Sequence, residues 1–507
     1  MRKQNKGITL IALVITIIVL LILAGISIAT LMGDDGVLAK AKQAKEEKTL
    51  GAIKEALNLY KANQLMQENT NTGNTPKDFA QDLVDKGIIK EKTEVTVDAD
   101  GNVKYKEQTV GTINPDSSEN AGNTGTTNPG EWNGKVNAPI VEQGMVPIKY
   151  DETKSNWVVC SQTDEEWYNY EEQKWANIML SDETLTEGQT IEYDNLGSMF
   201  VWIPRYAYSI TSGWHSSETG IIDVQFISKD TIAGSSVNGG TITDVAATDA
   251  ESAKQWRIPP AFKYGENNEI SGFYVAKFEA SGTTEQLAVK PGGSSLRNIT
   301  ISEMFTACRN MGKVGNMDPH MLKNSEWGAT AYLAHSEYGR NGTEVTLNNN
   351  SGYNTGGGTT EAYKSNTNQS TTGNITGIYD MSGGAIEYVA AYVNNESSNL
   401  TYYGNSLYTA ESKYKDEYEK GSSDSRSDNY EANANKYGDA VYETSSADGS
   451  LYSWHDDYSN FPYSRLMFFM RGGRSFNGSG AGLFYFSYDI GFAYSYYSFR
   501  PVFSLDT

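Results

Sequence analysis

Cysteine and histidine are scarce in this chain of 507 residues, which holds 2 and 4 of them. Two cysteines exclude a disulfide framework and leave no CxxC pair or zinc-type cluster. Cys160 and Cys308 either pair once across a long loop or are small buried residues. The place of Cys308 after Ala307, in an apparently amphipathic helix, favours the second. The histidines, His215, His320, His335 and His455, show no HxxxH or HExxH spacing. His320, within Asp318-Pro319-His320-Met321, reads as a loop or strand-entry residue rather than a metal ligand. Positive charge is also short: 41 Lys+Arg face 63 Asp+Glu, a formal net charge of -22. A basic nucleic-acid binder is thereby excluded, because phosphate neutralisation needs a positive face.

What is abundant is tyrosine, at 33 residues against 16 Phe and 9 Trp. Twenty of these tyrosines lie between Tyr363 and Tyr497, so the excess belongs to the C-terminal third. The length leaves room for two or three domains and a sizeable core.

Arg2, Lys3 and Lys6 precede a stretch, 8–33, without any ionisable side chain, followed by Asp34 and Asp35. As a helix such a run spans ~30 Å of hydrocarbon. The basic flank predicts a cytoplasmic N-terminus. The expectation is a single-pass protein of the cell membrane with its C-terminal domain extracellular. The run is too long for a removable secretory signal. Lys6-Gly7-Ile8-Thr9-Leu10-Ile11 resembles the N-terminus of type IV prepilin-like proteins, which implies processing between Gly7 and Ile8 by a prepilin peptidase. Ala12 stands where assembling pilins usually carry Glu, so a pilin-derived membrane tether is the expectation and a minor pilin or pseudopilin subunit the alternative. Leu50, Ile53, Leu57 and Tyr60 recur at helical spacing.

The resulting division is a basic leader over 1–7, a transmembrane or pilin-like helix over 8–33, a stalk helix over 34–66 and a small hairpin-containing element over 67–112. In the last, Val95, Val97, Val103 and Tyr105 alternate around Asp100-Gly101. Residues 113–139, rich in Asn, Gly, Ser, Thr and Pro, read as a flexible linker. An outer domain over 140–507 follows, with polar stretches 340–369 and 411–450 that read as long surface insertions. No internal repeat of fixed period is present.

Within the outer domain a series of motifs appears in order: Phe200-Val201-Trp202-Ile203-Pro204-Arg205, Gly272-Phe273-Tyr274-Val275-Ala276-Lys277-Phe278-Glu279, Phe305-Thr306-Ala307-Cys308 and Leu322-Lys323-Asn324-Ser325-Glu326-Trp327. Gly377-Ile378-Tyr379-Asp380-Met381-Ser382-Gly383, Arg471-Gly472-Gly473 and Phe499-Arg500-Pro501-Val502 complete it. Together they resemble the formylglycine-generating-enzyme superfamily, a variant of the C-type lectin fold, over about 300 residues. The resemblance implies an α+β fold, with the C-type lectin-like domain preceded by the long N-terminal transmembrane or pilin-like helix. Most of these motifs read as fold-holding. Arg471 and Arg500 stand in apolar settings that tolerate a guanidinium only with paired acceptors.

In oxygen-dependent members of that superfamily catalysis needs cysteine thiolates in the C-terminal part of the domain, and this chain has no cysteine after Cys308. An oxidative enzyme is therefore an alternative that lacks its catalytic cysteine, and no catalytic residue and no cofactor are assigned. Relatives also bind calcium around an Asp-Met-Ser-Gly-Asn-x-x-Glu stretch. Here Gly384 replaces the Asn, leaving Asn374, Asp380 and Glu387 as candidate oxygens, while hard cations want six or more. A structural calcium is thus a weighed alternative and no metal is assigned.

Between Arg471 and Phe503, 11 of 33 residues are Phe or Tyr, while Leu483, Ile490 and Val502 are the sole aliphatic Val, Ile or Leu residues. Phe484, Phe486, Phe499 and Phe503 suit core strands. The remainder, Tyr with Ser, Gly, Asp and Asn, has the composition of a recognition surface. The tail resembles the variable region of proteins targeted by diversity-generating retroelements. Randomising template adenines of an Asn codon yields the alphabet Tyr, Phe, Ser, Asp, Ile, Gly and Ala seen here. That resemblance implies fixed positions at Ala481-Gly482, Phe484, Phe486, Gly491 and Ser498-Phe499-Arg500-Pro501. It implies variable, ligand-contacting ones at Arg474, Ser475, Phe476, Asn477, Tyr485, Ser487, Tyr488, Asp489, Ile490, Phe492, Tyr494, Ser495, Tyr496 and Tyr497. The expected partner is a protein or glycan ligand, with the membrane engaged through 8–33 and no nucleic acid.

Overall fold

A computed structural model of the chain describes residues 79–97, 102–106, 108–112, 130–265, 268–446 and 450–505, together with Thr49, Ile53 and Ala56. The chain divides into two compact units, 1–123 and 124–507.

In the first unit, strands Val95–Val97, Asn102–Tyr105 and Gln108–Thr112 form an antiparallel sheet, with Val95 opposite Tyr105 and Val97 opposite Val103. Side chains alternate across a strand, so Val95, Val103 and Tyr105 point together into a small core with Ile53, Ala56, Leu83, Ile89 and Phe79. Phe79 opens helix α1 (Phe79–Asp85).

The second unit is built on an eight-stranded sheet in the spatial order Met317–Met321, Pro501–Leu505, Gly272–Ala276, Met199–Pro204, Asn177–Leu180, Met145–Asp151, Asn156–Val159, Thr190–Ile191. Every residue of the adjacent strands Gly272–Ala276 and Met199–Pro204 is buried, because both faces are covered. Val201, Ile203, Phe273 and Val275 face one core, and Phe200, Trp202, Tyr274 and Ala276 the other. Gly272 is required there, since a Cβ would lie 2.5 Å from both the Ile203 carbonyl oxygen and the Trp202 ring. The C-terminal strand Pro501–Leu505 pairs on both edges, with Met317–Met321 and Gly272–Ala276. The end of the aromatic tail is therefore locked inside the sheet.

Helix α2 (Ile301–Arg309) starts at a capping box in which Thr300 and Glu303 bond reciprocally, and buries Ile301, Met304, Phe305, Ala307 and Cys308. Helix α3 (Asn324–His335) is buried along its whole length. Gly328 lets the backbone of Asp439 approach, where a Cβ would meet it at 2.4 Å. A second sheet runs in the order Asp416–Glu419, Ile386–Asn394, Phe468–Arg471, Phe486–Asp489, Tyr458–Asn460, Ser450–Tyr452, with Tyr497–Ser498 pairing in parallel with Ile386–Asn394. Helices α4 (Ser398–Tyr408) and α5 (Arg426–Ala432) complete the set.

These findings correct the expectation of an α+β fold led by a long N-terminal transmembrane or pilin-like helix. The described residues are mostly β, with 24 strands and five α-helices. No helix among them is long and apolar enough to cross a membrane. The longest, α3, has 12 residues, a rise of about 18 Å at 1.5 Å per residue, short of the ~30 Å hydrocarbon core. The membrane-tethered, pilin-like architecture and the single-pass localisation with an extracellular C-terminal domain are withdrawn with it. The leader 1–7, the apolar run 8–33, most of the expected stalk 34–66 and the processing residues Gly7 and Ile8 lie outside the described residues.

Three polar stretches are more closely folded than their composition suggests. Of the expected linker, residues 130–139 are described: Trp132 pairs with Asn137, and Val136, Asn137 and Ala138 are buried. In 340–369 and 411–450, Asn348, Thr355, Tyr363, Tyr418, Tyr430 and Glu443 are buried. Hydrogen bonding makes this tolerable. Glu443 accepts from the hydroxyls of Tyr208 and Tyr332 and from the Gly438 N–H. Cys160 and Cys308 are unpaired, buried thiols.

Candidate recognition site

After strand Phe468–Arg471 the tail turns at Gly472 and Gly473, whose φ values of 80° and 70° favour glycine. It then passes through strand Phe486–Asp489 to a loop over 490–496, and returns through Tyr497–Ser498 to the final strand. Phe484, Phe486, Phe499 and Phe503 are buried, so the apolar alternation anchors the tail.

The backbone of that loop is tied down from several elements. Gly491 N–H donates to the Tyr388 hydroxyl (3.1 Å), Ile301 N–H to the Gly491 carbonyl (3.1 Å), Asn298 N–H to Tyr494 (3.0 Å) and Ile386 N–H to Tyr496 (3.0 Å). Gly491 has φ 89°, and a Cβ there would meet the Phe468 ring at 2.8 Å and Ile301 at 2.9 Å. The loop backbone is thus held by partners from outside the loop.

Phe476 is 65% exposed, Tyr494 41% and Phe492 40%, and Asn477 and Ser495 are also exposed. Arg474, Tyr488, Asp489, Ile490 and Tyr496 are half-buried. Ser475, Tyr485, Ser487 and Tyr497 are buried, so these four side chains support the face instead of forming it. The Tyr497 hydroxyl donates to Asp489 Oδ2, and burial, with that carboxylate adding, pushes its pKa well up. Burial pushes Tyr485 up to about 12. Both remain protonated at neutral pH.

The exposed rings form a continuous ridge. Phe492 and Tyr494 meet edge to face at 5.3 Å, Tyr494 stacks on Tyr496 at 5.3 Å, and the Arg474 guanidinium lies 4.8 Å over Tyr496. Tyr403, from α4, meets Phe492 at 5.6 Å and carries Tyr402, 77% exposed, at 4.6 Å. On the other flank Phe476 meets Tyr353 at 6.5 Å, under the Arg297 guanidinium at 4.4 Å. Tyr488 belongs to a separate group with Tyr463 and Arg426. An open cleft of about 630 Å³ is lined by Tyr452, Asp456, Tyr458, Asn477, Ser479, Gly480 and Tyr485.

Arg297, Tyr353, Tyr402 and Tyr403 were not singled out by sequence reasoning. The adjacent Tyr402-Tyr403 pair was the one available signal, and its helix lies far from the tail in sequence.

The candidate cation oxygens are engaged by protein donors. Asp380 Oδ1 accepts from Asn348 Nδ2 and Gly356 N–H, each at 2.8 Å. Glu387 accepts from Arg500 Nε at 2.7 Å, and Asn374 Oδ1 accepts from Thr376 N–H at 2.9 Å and from its hydroxyl at 2.7 Å. Arg500 also donates to the carbonyls of Ala276 and Tyr379. Arg471 donates to Asn324 Oδ1 and to the carbonyls of Asp439, Ala440 and Leu483. Both guanidiniums are buried; every nitrogen of Arg500 has an acceptor, whereas Arg471 Nε has none. His320 is a buried strand residue whose Nε2 pairs with Glu326 Oε1 at 2.8 Å. No protein-family model and no curated protein sequence matches the chain.

Proposed function

We propose that this chain is a ligand-recognition protein and not an enzyme, and that its C-terminal aromatic face binds a protein or glycan. The observation that carries the reading is the loop over 490–496, whose backbone is bonded to Asn298, Ile301, Ile386 and Tyr388 while Phe492 and Tyr494 project outward. Exposed aromatics on a rigid frame give large contact area at small entropic cost. The same division of labour supports identifying the tail as the variable region of a diversity-generating retroelement target on a domain resembling formylglycine-generating enzymes. Gly491, Phe484, Phe486 and Arg500 hold the frame, and Phe476, Asn477, Phe492, Tyr494 and Ser495 can change without cost to the core. Against enzyme chemistry of the oxidative type, burial pushes both thiols up, Cys308 well above its ordinary value, whereas a nucleophilic thiol needs a lowered one.

Peptides and glycans selected with the full chain provide the test. The triple variant Phe476→Ala, Phe492→Ala, Tyr494→Ala is expected to lose at least tenfold in affinity, about the effect of one hot-spot aromatic, with the Tm nearly unchanged. Retained binding refutes the assignment of the face. Diversification is tested on the neighbouring DNA, where a near-copy of the tail's coding region and a reverse-transcriptase gene are expected; absence of both rejects it.

A further inference from the structure

We infer that the recognition face takes an acidic peptide segment of a protein partner, whose carboxylates are held by Arg297 and Arg474 between the aromatic rings; this rests on the reading of the face as a binding surface. Two guanidiniums lie over rings of the face, Arg474 on Tyr496 and Arg297 on Tyr353. Arg297 is oriented by the carbonyls of Ser295 and Ser495 and by the Ser294 hydroxyl, all neutral acceptors. Among the described residues the arginines in ion pairs are Arg205, Arg309 and Arg500; Arg297 and Arg474 are in none. Arg257, Arg340, Arg426, Arg465 and Arg471 are in none either; what sets Arg297 and Arg474 apart is their place beside the exposed rings of the tail.

Neither Glu303 nor Asp489 forms an ion pair with either arginine. Glu303 accepts from the Thr300 N–H at 2.7 Å and from its hydroxyl at 2.8 Å, and Asp489 from the Tyr497 hydroxyl. Two guanidiniums stacked on tyrosines and lacking counter-charges are complementary to a ligand that supplies carboxylates, which arginine can bind through two parallel N–H donors. The rings suit a peptide: Phe476 and Phe492, two of the three most exposed tail rings, offer hydroxyl-free apolar surface to a partner's apolar side chains.

The experiment pans the full chain against a phage-displayed library of random 12-residue peptides. Affinities of the selected peptides, of a labelled 20-residue poly-L-glutamate and of heparin are then measured for the wild type and variants. Selected peptides are expected to be enriched in Asp and Glu and to bind about tenfold more weakly to Arg474→Gln, the loss of roughly one charge-assisted contact. Their affinity should also fall as salt rises from about 50 to about 500 mM. Arg297→Gln should act in the same direction; because Arg297 also holds the loop through Ser495, Arg474→Gln, whose side chain holds no backbone, is decisive. Peptides that lack acidic bias or ignore Arg474→Gln overturn the inference. If they nevertheless lose affinity in the Phe476, Phe492, Tyr494 triple variant, the face reading stands; if they ignore the triple variant too, that reading falls as well. Selection of no peptide, or binding of heparin alone, overturns the assignment to an acidic peptide.

Discussion

Tyrosines a few positions apart have opposite duties in this tail. Tyr485 and Tyr497 are buried, whereas Tyr494 stands 41% exposed. Removal of a buried ring leaves a cavity, so Tyr485→Ala is expected to cost about 3–5 kcal/mol of stability, read as a large fall in Tm. Tyr497→Phe is a finer probe. It keeps the ring and deletes the hydroxyl that donates to Asp489, leaving a half-buried carboxylate one donor short at a cost of about 1–3 kcal/mol. Chemical denaturation with an unchanged m-value checks both. Arg500 acts at the same scale: its pair with Glu387 is fully buried, and Arg500→Ala, by leaving Glu387 uncompensated, is expected to destabilise by about 3–5 kcal/mol.

At the level of elements, the loop over 490–496 depends on α2 and on the strand Ile386–Asn394 for its backbone partners. The start of α2 therefore supports the binding face through its backbone. Thr300→Ala removes the capping hydroxyl and should cost about 1 kcal/mol, with a proportionate fall in affinity as Asn298 and Ile301 loosen their hold on Tyr494 and Gly491. Gly491→Ala is more severe. A side chain at φ 89° is strained, by about 1–3 kcal/mol, and would meet Phe468 and Ile301. Its signature is a drop in Tm together with weakened binding, in contrast to the exposed triple variant, which changes binding alone.

Over the whole molecule, half-buried Glu344 and buried Asp457 shape the response to pH between neutral and alkaline values. Burial, reinforced by the charge of Asp457, pushes Glu344 up to about 9, and burial pushes Asp457 up to about 8. Their ordinary values are near 4, so in the window from about 6.5 to 9 the folded chain holds protons that the unfolded chain has already released. Stability therefore falls as pH rises through this window and levels off above the folded values. His335 and His455, lowered by burial, act below about 6.5, where the unfolded imidazoles take up protons that the folded ones refuse. The expected result is a Tm higher at pH 6.5 than at pH 9. Asp457→Asn, which retains an acceptor for the Phe484 N–H, should narrow that difference; thermal melts at the two pH values decide.

The share of this architecture legible in sequence follows the physics of each signal. Local alternation marked Val95, Val97, Val103 and Tyr105 as hairpin residues and Phe484, Phe486, Phe499 and Phe503 as suited to core strands, because side-chain direction in a strand is a local property; the register was supplied by the structure. Composition marked the tail as unusual, and the acceptor-hungry Arg471 and Arg500 were recognisable from their apolar neighbours. Burial of the polar stretches was not legible. Glu443 is satisfied by Tyr208 and Tyr332, more than 100 residues away in sequence, and no local pattern announces such partners. Nor could the apolar run over 8–33 decide a membrane topology for a chain whose described helices are all short. By itself the sequence determined the charge, the scarcity of thiols and imidazoles, the strand alternation and the aromatic excess, since these are properties of residues and their immediate neighbours. Which tyrosines face outward, and that Arg297, Tyr353 and Tyr403 join them, was decided by tertiary structure alone, because exposure and counter-charge depend on what the rest of the chain brings alongside.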